Sequence, residues 1–357
     1  MLGLQSQNTP TTRLPHSADP PKAADLHKAL KNFAHDHGVT EFGNEESARY
    51  FHAAKLLMQH QEFYPAQKLL RQVLSVSPHS SATVYALAEC AGHLGQKAER
   101  LQLLKALITL DDHPHYLLTL AQTFYEQGSD QEALKYYLQA VHLLPEDAGS
   151  LFEAYKNIGN IYVRCHDFES AEENYNRAHT LNPRSATLLV NFGTLAIQRN
   201  DWDGAIQRFR EAIAVDASFD RAWVGLSLVH RQFGDFDLSW ANLARALDLN
   251  PLNTTALQLA LSWVVKDQRW ALVSESLKQY MVLNDQDAVM SLALAQLWFL
   301  QGHFASARLE LTRTLALDPA IQGGLDLLNL IEQEEMKRSH GWDEHGAEFG
   351  ENHSQER

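Results

Sequence analysis

Residues 152–183 read FEAYKNIGNIYVRCHDFESAEENYNRAHTLNP, and their pattern is the key to most of the chain. Apolar and small residues follow one another at steps of three and four, which is the spacing of one face of an α-helix. The stretch holds two such helical segments, and a proline ends the second because proline cannot continue a helix. Eight of its positions recur elsewhere in the chain: Tyr155, Ile158, Gly159, Tyr162, Ala171, Tyr175, Ala178 and Pro183.

The same pattern returns along most of the sequence, and neighbouring copies lie 34 residues apart where no residue is inserted or missing. An ordinary helical bundle would not keep this register, whereas a fixed period in this range is typical of stacked helical repeats. The sequence therefore predicts eight helical hairpins, five with a strong match and three with a weak one. Besides the quoted hairpin, strong copies begin at Pro114, Ala186, Asp220 and Ala288. The weak copies begin at Ser47, Ser81 and Thr254.

These recurring positions resemble the tetratricopeptide repeat family, and the resemblance covers residues 47–321. Small residues such as Gly159 and Ala171 let the two helices of a repeat approach closely. Stacked repeats then bury the apolar face that a single hairpin leaves open. The resemblance implies an all-α fold, a right-handed superhelical solenoid of about eight helix-turn-helix repeats with a C-terminal capping helix.

The pattern also sets the expected organisation of the chain. The start is rich in Pro, Ser and Thr, which is typical of a flexible tail, and residues 25–33 within it are expected to form a short helix. After the repeats, a capping helix should cover the last apolar face, with Leu325, Leu328 and Ile331 toward the preceding helix. Five parts are expected: the flexible tail at 1–44, repeats 1–3 at 47–147, repeats 4–8 at 152–321, the capping helix at 322–338 and a disordered acidic tail at 339–357.

Four extra residues at 146–149 interrupt the period between the third and fourth repeats. Four residues are about one helical turn, so the next helix could simply begin early, with Ser150 and Glu153 as its capping box. The alternative is a hinge between a block of three repeats and a block of five. The sequence leaves both interpretations open.

Charge and cysteine content narrow the class of partner. Lys and Arg number 30 against 44 Asp and Glu, which gives a formal net charge of −14. A surface this acidic repels phosphate backbones and anionic lipid, so neither nucleic acid nor membrane is expected as a partner. The only two cysteines, Cys90 and Cys165, suit a reducing compartment, and the sequence shows no apolar run long enough to span a bilayer. The protein is therefore expected to be cytoplasmic, and its oligomeric state is left open.

The sequence carries none of the common catalytic motifs. It has no GxSxG, no glycine-rich phosphate loop, no HExxH and no Cys-x-x-Cys. The 18 histidines have spacings that fit no standard set of metal ligands. The chain is therefore expected not to be an enzyme, with no catalytic residue, no metal site and no cofactor.

The resemblance also implies a binding face. In the family, the first helix of each repeat lines a concave groove along which peptide ligands lie. Four groove residues resemble four of the five residues of the two-carboxylate clamp with which chaperone-binding members grip the acidic C-terminus of a heat-shock chaperone: Lys156, Asn160, Asn191 and Arg221. In such a clamp, cations neutralise the carboxylates while amides donate hydrogen bonds to the peptide.

The fifth clamp position, normally basic, is Gly225 in this chain. Asn157 and Arg231 lie on or beside the same helix faces and are counted among the candidate peptide-binding residues. Three outcomes are open for this groove. It could hold a terminal carboxylate, it could hold extended peptide backbone through a generic ladder of asparagine amides, or it could bind nothing.

The groove of the first repeats has a different character, because apolar and aromatic residues dominate its positions. Such a stripe is usually core, yet here it coincides with groove positions, so it could anchor a partner helix or peptide. The residues are Phe51, Lys55, Met58, Tyr85, Leu118, Gln122 and Tyr125.

The expected function is a non-enzymatic scaffold, adaptor or co-chaperone that binds a peptide or a partner domain in the groove. Two other roles are open. One is an assembly or secretion chaperone that shields an apolar partner segment, which predicts that polar replacements at Phe51 and Tyr85 abolish binding. The other is a regulatory subunit of an enzyme on another chain, which predicts a co-purifying enzyme.

Overall fold

The computed structural model describes residues 39–144 and 147–348. Within these ranges every regular element is an α-helix. The helices, numbered in chain order, are α1 (Val39–Phe42), α2 (Glu45–Gln59), α3 (Phe63–Val76), α4 (Ser81–His93), α5 (Lys97–Leu110), α6 (Pro114–Glu126), α7 (Asp130–Leu143), α8 (Ala148–Arg164), α9 (Phe168–Leu181), α10 (Ala186–Gln198), α11 (Trp202–Val215), α12 (Asp220–Gln232), α13 (Phe236–Leu249), α14 (Thr254–Asp267), α15 (Trp270–Leu283), α16 (Ala288–Leu300), α17 (Phe304–Leu317) and α18 (Gly324–Glu348).

The helices from α2 to α17 pair into eight successive hairpins in the described part of the chain. Several first helices begin at a side chain that caps them, because it accepts a hydrogen bond from a backbone N–H that has no partner within the helix. Ser80 caps α4, Ser185 caps α10 and Asn253 caps α14 in this way. The all-α class and the eight hairpins predicted from the repeat pattern are confirmed.

The turn between the two helices of each hairpin contains one residue with positive φ. Glycine adopts this left-handed conformation without strain, while a residue with a Cβ atom is strained there. Four hairpins use glycine and four use another residue: Gly95, Gly128, Gly234 and Gly302, and Gln61, His166, Asn200 and Gln268. The hairpin geometry therefore imposes the same backbone conformation whatever residue the sequence supplies.

The chain divides into two compact units, Met1–Ile161 and Tyr162–Arg357, and the boundary falls within α8. In the N-terminal unit, Leu70, Leu87 and Cys90 form part of a buried core between α2 and α5. Burial raises the pKa of the Cys90 thiol to about 11, so it stays protonated and unreactive at neutral pH. In the C-terminal unit, Leu189 and Phe209 belong to a core formed by α10, α11 and α12.

The helix after the four-residue insertion, α8, has 17 residues and begins at Ala148. The first helix of the next hairpin, α10, has 13, so α8 is longer by about one turn. The capping box expected at Ser150 and Glu153 is wrong, because Ser150 already lies within the helix. Asp147 caps α8 instead, since its Oδ1 accepts from the backbone N–H groups of Gly149 at 3.1 Å and Ser150 at 3.3 Å. The hydrogen bonds from Ser150, followed by that from Gly149, hold the pKa of Asp147 below its usual value.

The last helix, α18, covers α17 with a different face from the one expected. Leu327 and Ile331 are buried and Leu328 is half-buried, whereas Leu325 is 61 % exposed. The prediction for Leu325 is therefore wrong, because it lies two residues from Leu327, on the opposite side of a helix. The helix also continues to Glu348, so ten residues of the expected disordered tail, 339–348, are helical. Residues 349–357 lie outside the described residues.

At the other end, the short helix expected at 25–33 also lies outside the described residues. The four-residue α1 was not expected from the pattern. The ring of Phe42 in α1 stacks on that of Phe51 in α2, with centroids 4.5 Å apart. Among the described helices, none combines the length and the apolar character needed to cross a membrane.

Candidate functional site

Three polar side chains meet beneath the first-helix face of the N-terminal unit. The Tyr137 hydroxyl on α7 donates to Gln122 Oε1 on α6 at 2.6 Å, and Asn157 Nδ2 on α8 donates to the same oxygen at 2.9 Å. Asn157 Nδ2 also lies 3.0 Å from the Tyr137 hydroxyl oxygen. Tyr137 and Asn157 are buried, so these bonds satisfy groups that would otherwise be costly to bury. These three residues are called the polar cluster below.

The polar cluster continues toward the surface. Gln122 Nε2 donates to Glu126 Oε1 at 2.9 Å, and Arg100 Nη1 on α5 lies 3.5 Å from Glu126 Oε2. Burial raises the pKa of Tyr137, so its hydroxyl stays protonated and keeps donating. One connected set of hydrogen bonds therefore runs from the second repeat to the fourth and fixes the orientation of the Gln122 amide.

The two asparagines that the sequence indicated on α8 have different places. Asn157 is only 7 % exposed and acts on the groove through Gln122, beneath the surface rather than on it. Asn160 is half-buried, and its Nδ2 donates to the Tyr125 hydroxyl at 3.0 Å. Tyr125 and Asn160, both predicted as groove residues, therefore contact each other.

Lys156 already has an anionic partner. Its Nζ donates to Glu153, three residues earlier on α8, and lies 5.6 Å from the centroid of the Phe152 ring. The Lys156 side chain is only 15 % exposed, while that of Glu153 is 58 % exposed. A ligand carboxylate would therefore compete with Glu153 for this cation.

A groove of about 570 Å³ lies above the polar cluster, and Tyr85, His115 and Lys156 contribute to its lining. The Tyr85 hydroxyl lies 2.8 Å from His115 Nε2, and the Tyr85 ring packs against Tyr116 at 5.2 Å between centroids. Burial raises the pKa of Tyr85 to about 12. Its hydroxyl is therefore protonated at neutral pH, and the tautomer of His115 decides which of the two groups donates.

The apolar end of the predicted N-terminal groove is partly covered by the chain itself. Phe51 is half-buried beneath Phe42 and packs against the core between α2 and α5. Lys55, one turn further along α2, is half-buried. The ring of Phe51 thus has an intramolecular partner on one face.

In the C-terminal unit, two glycines make room for one aromatic ring. Phe209 extends from α11 between Gly193 on α10 and Gly225 on α12. A Cβ atom at Gly225 would lie 2.4 Å from Phe209 Cε1 and Cζ, and one at Gly193 would lie 2.6 Å from Cε1. Real Cβ atoms do not approach a ring this closely, so this packing requires glycine at both positions.

Phe209 forms the floor of an open groove that is called the α12 groove below. It encloses about 520 Å³ between α10, α12 and the start of α14, a size within the range of ligand sites. Its exposed apolar surface comes mainly from Leu228, which is 37 % exposed, and Leu252, which is 47 % exposed. Thr194 adds a polar group on α10.

One cation lies on the wall of the α12 groove. Arg221 is exposed, and no ion pair or hydrogen bond of its side chain occurs within the described part of the chain. The neighbouring Asp220 is engaged elsewhere, because its Oδ2 accepts from Asn250 Nδ2 at 2.7 Å and from Asn253 Nδ2 at 2.8 Å. These bonds hold the loop before α14 against α12, with Leu252 between the two asparagines.

Arg231 lies at the interface of two repeats rather than on the open face that its spacing indicated. Its guanidinium pairs with Asp267 of α14 and lies 4.3 Å from the centroid of the Trp263 ring. Trp240 Nε1 also donates to Asp267 at 2.7 Å. The hydrogen bond from Arg231 holds the pKa of Asp267 below its usual value, with that from Trp240 adding to the effect. Arg231 is thus committed to the packing of α12 against α14.

The predicted clamp residues are divided between the units. Lys156 and Asn160 belong to the N-terminal unit, while Asn191, half-buried on α10, and Arg221 belong to the C-terminal unit. The terminal-carboxylate clamp stays a prediction. Asp220, Phe209 and Leu252 were missed as groove residues, although Phe209 stands at the repeat position of Tyr175 and Leu252 lies in the Asn-Pro-Leu-Asn loop at 250–253.

Comparison with known proteins identifies the repeats. Residues 150–218 match one family model described as tetratricopeptide repeat, and residues 101–148 and 190–254 match a second with the same description. The BBSome complex member BBS4 homolog of Drosophila melanogaster is 24 % identical over 151 residues, which are 42 % of this chain and 30 % of that protein. Protein O-mannosyl-transferase TMTC1 of Homo sapiens is 25 % identical over 191 residues, 52 % of this chain and 21 % of that protein.

The match to these curated relatives thus spans 30 % of their length or less. Among solved structures, yeast Tom70 superimposes with a TM-score of 0.60 at 14 % identity, over 88 % of this chain and 70 % of that one. This likeness shows the fold. The hairpins and their open first-helix faces define a helical repeat protein. Residues 101–148 and 150–254 thus match the tetratricopeptide repeat, a repeat that generally mediates protein–protein interactions on a typically non-enzymatic fold.

Proposed function

We propose that this chain is a non-enzymatic interaction scaffold, an adaptor that holds an extended segment of a partner protein against its first helices. The α12 groove carries the proposal, because it leaves two leucines and an arginine open to a ligand. Leu228 and Leu252 are both exposed, and the Arg221 guanidinium has no partner within the described residues and is therefore available for a charged ligand. Exposed apolar side chains beside a convergent charge are typical of a site for a peptide segment.

The N-terminal unit supports the same proposal in a different way. The polar cluster fixes Gln122 beside a groove of about 570 Å³, so side-chain amides are pre-organised there at little entropic cost on binding. Lys156 is neutralised by Glu153, which suits contacts with peptide backbone better than capture of a terminal carboxylate. Together with Gly225, this favours a general adaptor over a co-chaperone that grips an acidic C-terminus.

The same observations bear on the other roles. A chaperone that shields an apolar segment on the first repeats would need Phe51 to be accessible, and Phe42 covers one face of its ring. We therefore propose that an apolar partner segment binds to the C-terminal unit and not to the first repeats. A cytoplasmic location and the absence of catalysis by this chain, both expected from the sequence, are part of the proposal.

The test is affinity purification of the full chain from its native extract, with quantitative mass spectrometry. The variant Arg221→Ala/Leu228→Asp changes two exposed residues of the α12 groove, so the fold should be retained. Gln207→Ala/Arg210→Ala on α11 serves as the matched control, because it lies outside the groove. The proposal expects one or more partners to be lost from the first variant and kept by the control. If every partner is retained by the groove variant, the α12 groove is not the interaction site.

A further inference from the structure

We propose that the α12 groove selects a linear segment in which a carboxylate side chain stands within about three residues of an aliphatic side chain. This rests on the proposed scaffold function and specifies its ligand. The segment would bind in an extended form, with its carboxylate at Arg221 and its aliphatic side chain between Leu228 and Leu252. It needs no free C-terminus.

The charge of the ligand follows from the environment of Arg221. A guanidinium binds a carboxylate through two parallel hydrogen bonds, and such charge-assisted bonds are stronger than neutral ones. The nearest carboxylate in sequence, Asp220, accepts hydrogen bonds from Asn250 and Asn253 and is therefore turned to the loop. Within the described residues the Arg221 guanidinium makes no ion pair or hydrogen bond, so the groove offers this cation to a ligand.

The apolar part of the ligand follows from the two leucines. Leu228 belongs to α12 and Leu252 to the loop before α14, and both line the same groove. A methyl-bearing side chain placed between them removes apolar surface from water on both sides, which stabilises the complex. Leu252 is held in place because Asn250 and Asn253, on either side of it, are bonded to Asp220.

The spacing in the ligand follows from helix geometry. Arg221 and Leu228 are seven residues apart on α12, which is about 10 Å along the helix axis. An extended chain covers that distance in about three residues. Leu252 lies in the loop that Asp220, the residue before Arg221, holds against the start of α12. The carboxylate and the aliphatic side chain of the ligand can therefore also be fewer than about three residues apart.

The groove also selects for a single anionic group at this point. The position one helical turn beyond Arg221, where clamp proteins carry a second basic residue, is Gly225. A side chain there would collide with Phe209 at 2.4 Å from its Cβ position. The groove floor is therefore apolar, and a second carboxylate over it would lose its hydration without gaining a partner.

The experiment is selection of random linear peptides, free of a terminal carboxylate through C-terminal amidation or fusion, on the immobilised full chain. The expected result is enrichment of peptides with Asp or Glu within about three positions of Leu, Ile or Val. The full chain carrying Arg221→Glu should exchange the acidic preference for a basic one, because the groove cation becomes an anion. Loss of the Arg221 contact should weaken the enriched wild-type peptide by about tenfold or more.

The matched control is Arg210→Glu on α11, an equal change of charge outside the groove. It should leave the selected pattern and the affinity unchanged. Enriched peptides that lack the acidic and aliphatic pair, or that keep their affinity for Arg221→Glu, would overturn the inference while leaving peptide binding by the chain intact. If no peptide is enriched on any version of the chain, both the inference and the peptide-binding part of the proposed function are wrong.

Discussion

The ring of Phe209 occupies the space into which a side chain at Gly225 would extend, with two ring atoms 2.4 Å from the Cβ position. Phe209 is buried, so the ring cannot turn away from an added atom without disturbing the core formed by α10, α11 and α12. The identity of a groove residue on α12 is thus set by a core residue on α11.

Replacement of Gly225 by alanine should lower the free energy of unfolding by about 1–3 kcal/mol, the usual cost of an overpacked core. The measurement is urea unfolding followed by circular dichroism. Gly149→Ala is the matched control, since the nearest atom to its Cβ position is at an ordinary 3.5 Å and alanine favours a helix. In a Phe209→Leu background the cost of Gly225→Ala should shrink. Equal costs in both backgrounds would show that the ring is not the obstacle.

Removal of the Tyr137 hydroxyl by Tyr137→Phe should destabilise the N-terminal unit by about 1–2 kcal/mol, because Gln122 and Asn157 each lose a buried partner. Tyr136→Phe is the control on the same helix. The Tyr136 ring stacks on Phe124, and within the described residues its hydroxyl makes no hydrogen bond. Thermal unfolding of both variants should separate them, and an equal effect would contradict the role assigned to the polar cluster.

The pair of Arg231 and Asp267 predicts a dependence of stability on pH. The pKa of Asp267 is lowered from its ordinary value of 3.8, so the pair stabilises the folded state above that pH. The contribution is lost as the pH falls through the lower, folded-state pKa. Asp267→Asn should cost about 2 kcal/mol at neutral pH, less than for a fully buried pair because both side chains keep some contact with water. The difference from the wild type should disappear in strong acid.

Asp237→Asn provides the comparison for that experiment. Asp237 also pairs with an arginine, Arg269, but its side chain is 91 % exposed. Exposed ion pairs contribute little to stability. The urea midpoint of this variant should therefore follow the wild type at every pH, and a shift as large as that of Asp267→Asn would show that burial does not distinguish the two pairs.

The four non-glycine turns predict stabilising substitutions. Gln268 follows α14 with a φ of 55°, so Gln268→Gly should relieve left-handed strain and stabilise the chain by about 1 kcal/mol. Gly234→Gln, at the same turn of the preceding repeat, should destabilise by a similar amount. Differential scanning calorimetry measures both. A fall in the melting temperature for Gln268→Gly would mean that the glutamine side chain contributes more than its strain costs.

The repeat pattern predicted the fold because each hairpin repeats the same local requirements of size and polarity. Gly193 is an example, since a small residue at that position recurs at the fixed period and the structure places it against Phe209. The failures arose where a contact joins distant parts of the chain. Arg231 and Asp267 are 36 residues apart, and helical spacing alone put Arg231 on the open face.

Local rules also competed with each other at the ends of helices. Ser150 and Glu153 satisfy the capping pattern, yet Asp147 lies earlier in the chain and its side chain accepts from the backbone N–H groups of Gly149 and Ser150. Leu325 and Leu327 are both apolar, and only the direction in which α18 leaves Gly324 decides which of them is buried. Sequence spacing gives the period of a face but not its rotation about the helix axis.

Helices of three consecutive repeats are joined by one connected set of hydrogen bonds. It runs from Arg100 through Glu126 and Gln122 to Tyr137 and Asn157. In a linear array, each repeat ordinarily opens with an energy set by its own stability and by its contacts with its neighbours. Here the loss of one repeat would leave buried polar groups of the next without partners. The second, third and fourth repeats should therefore exchange their amide hydrogens as one cooperative block, slower than the hairpin that precedes them.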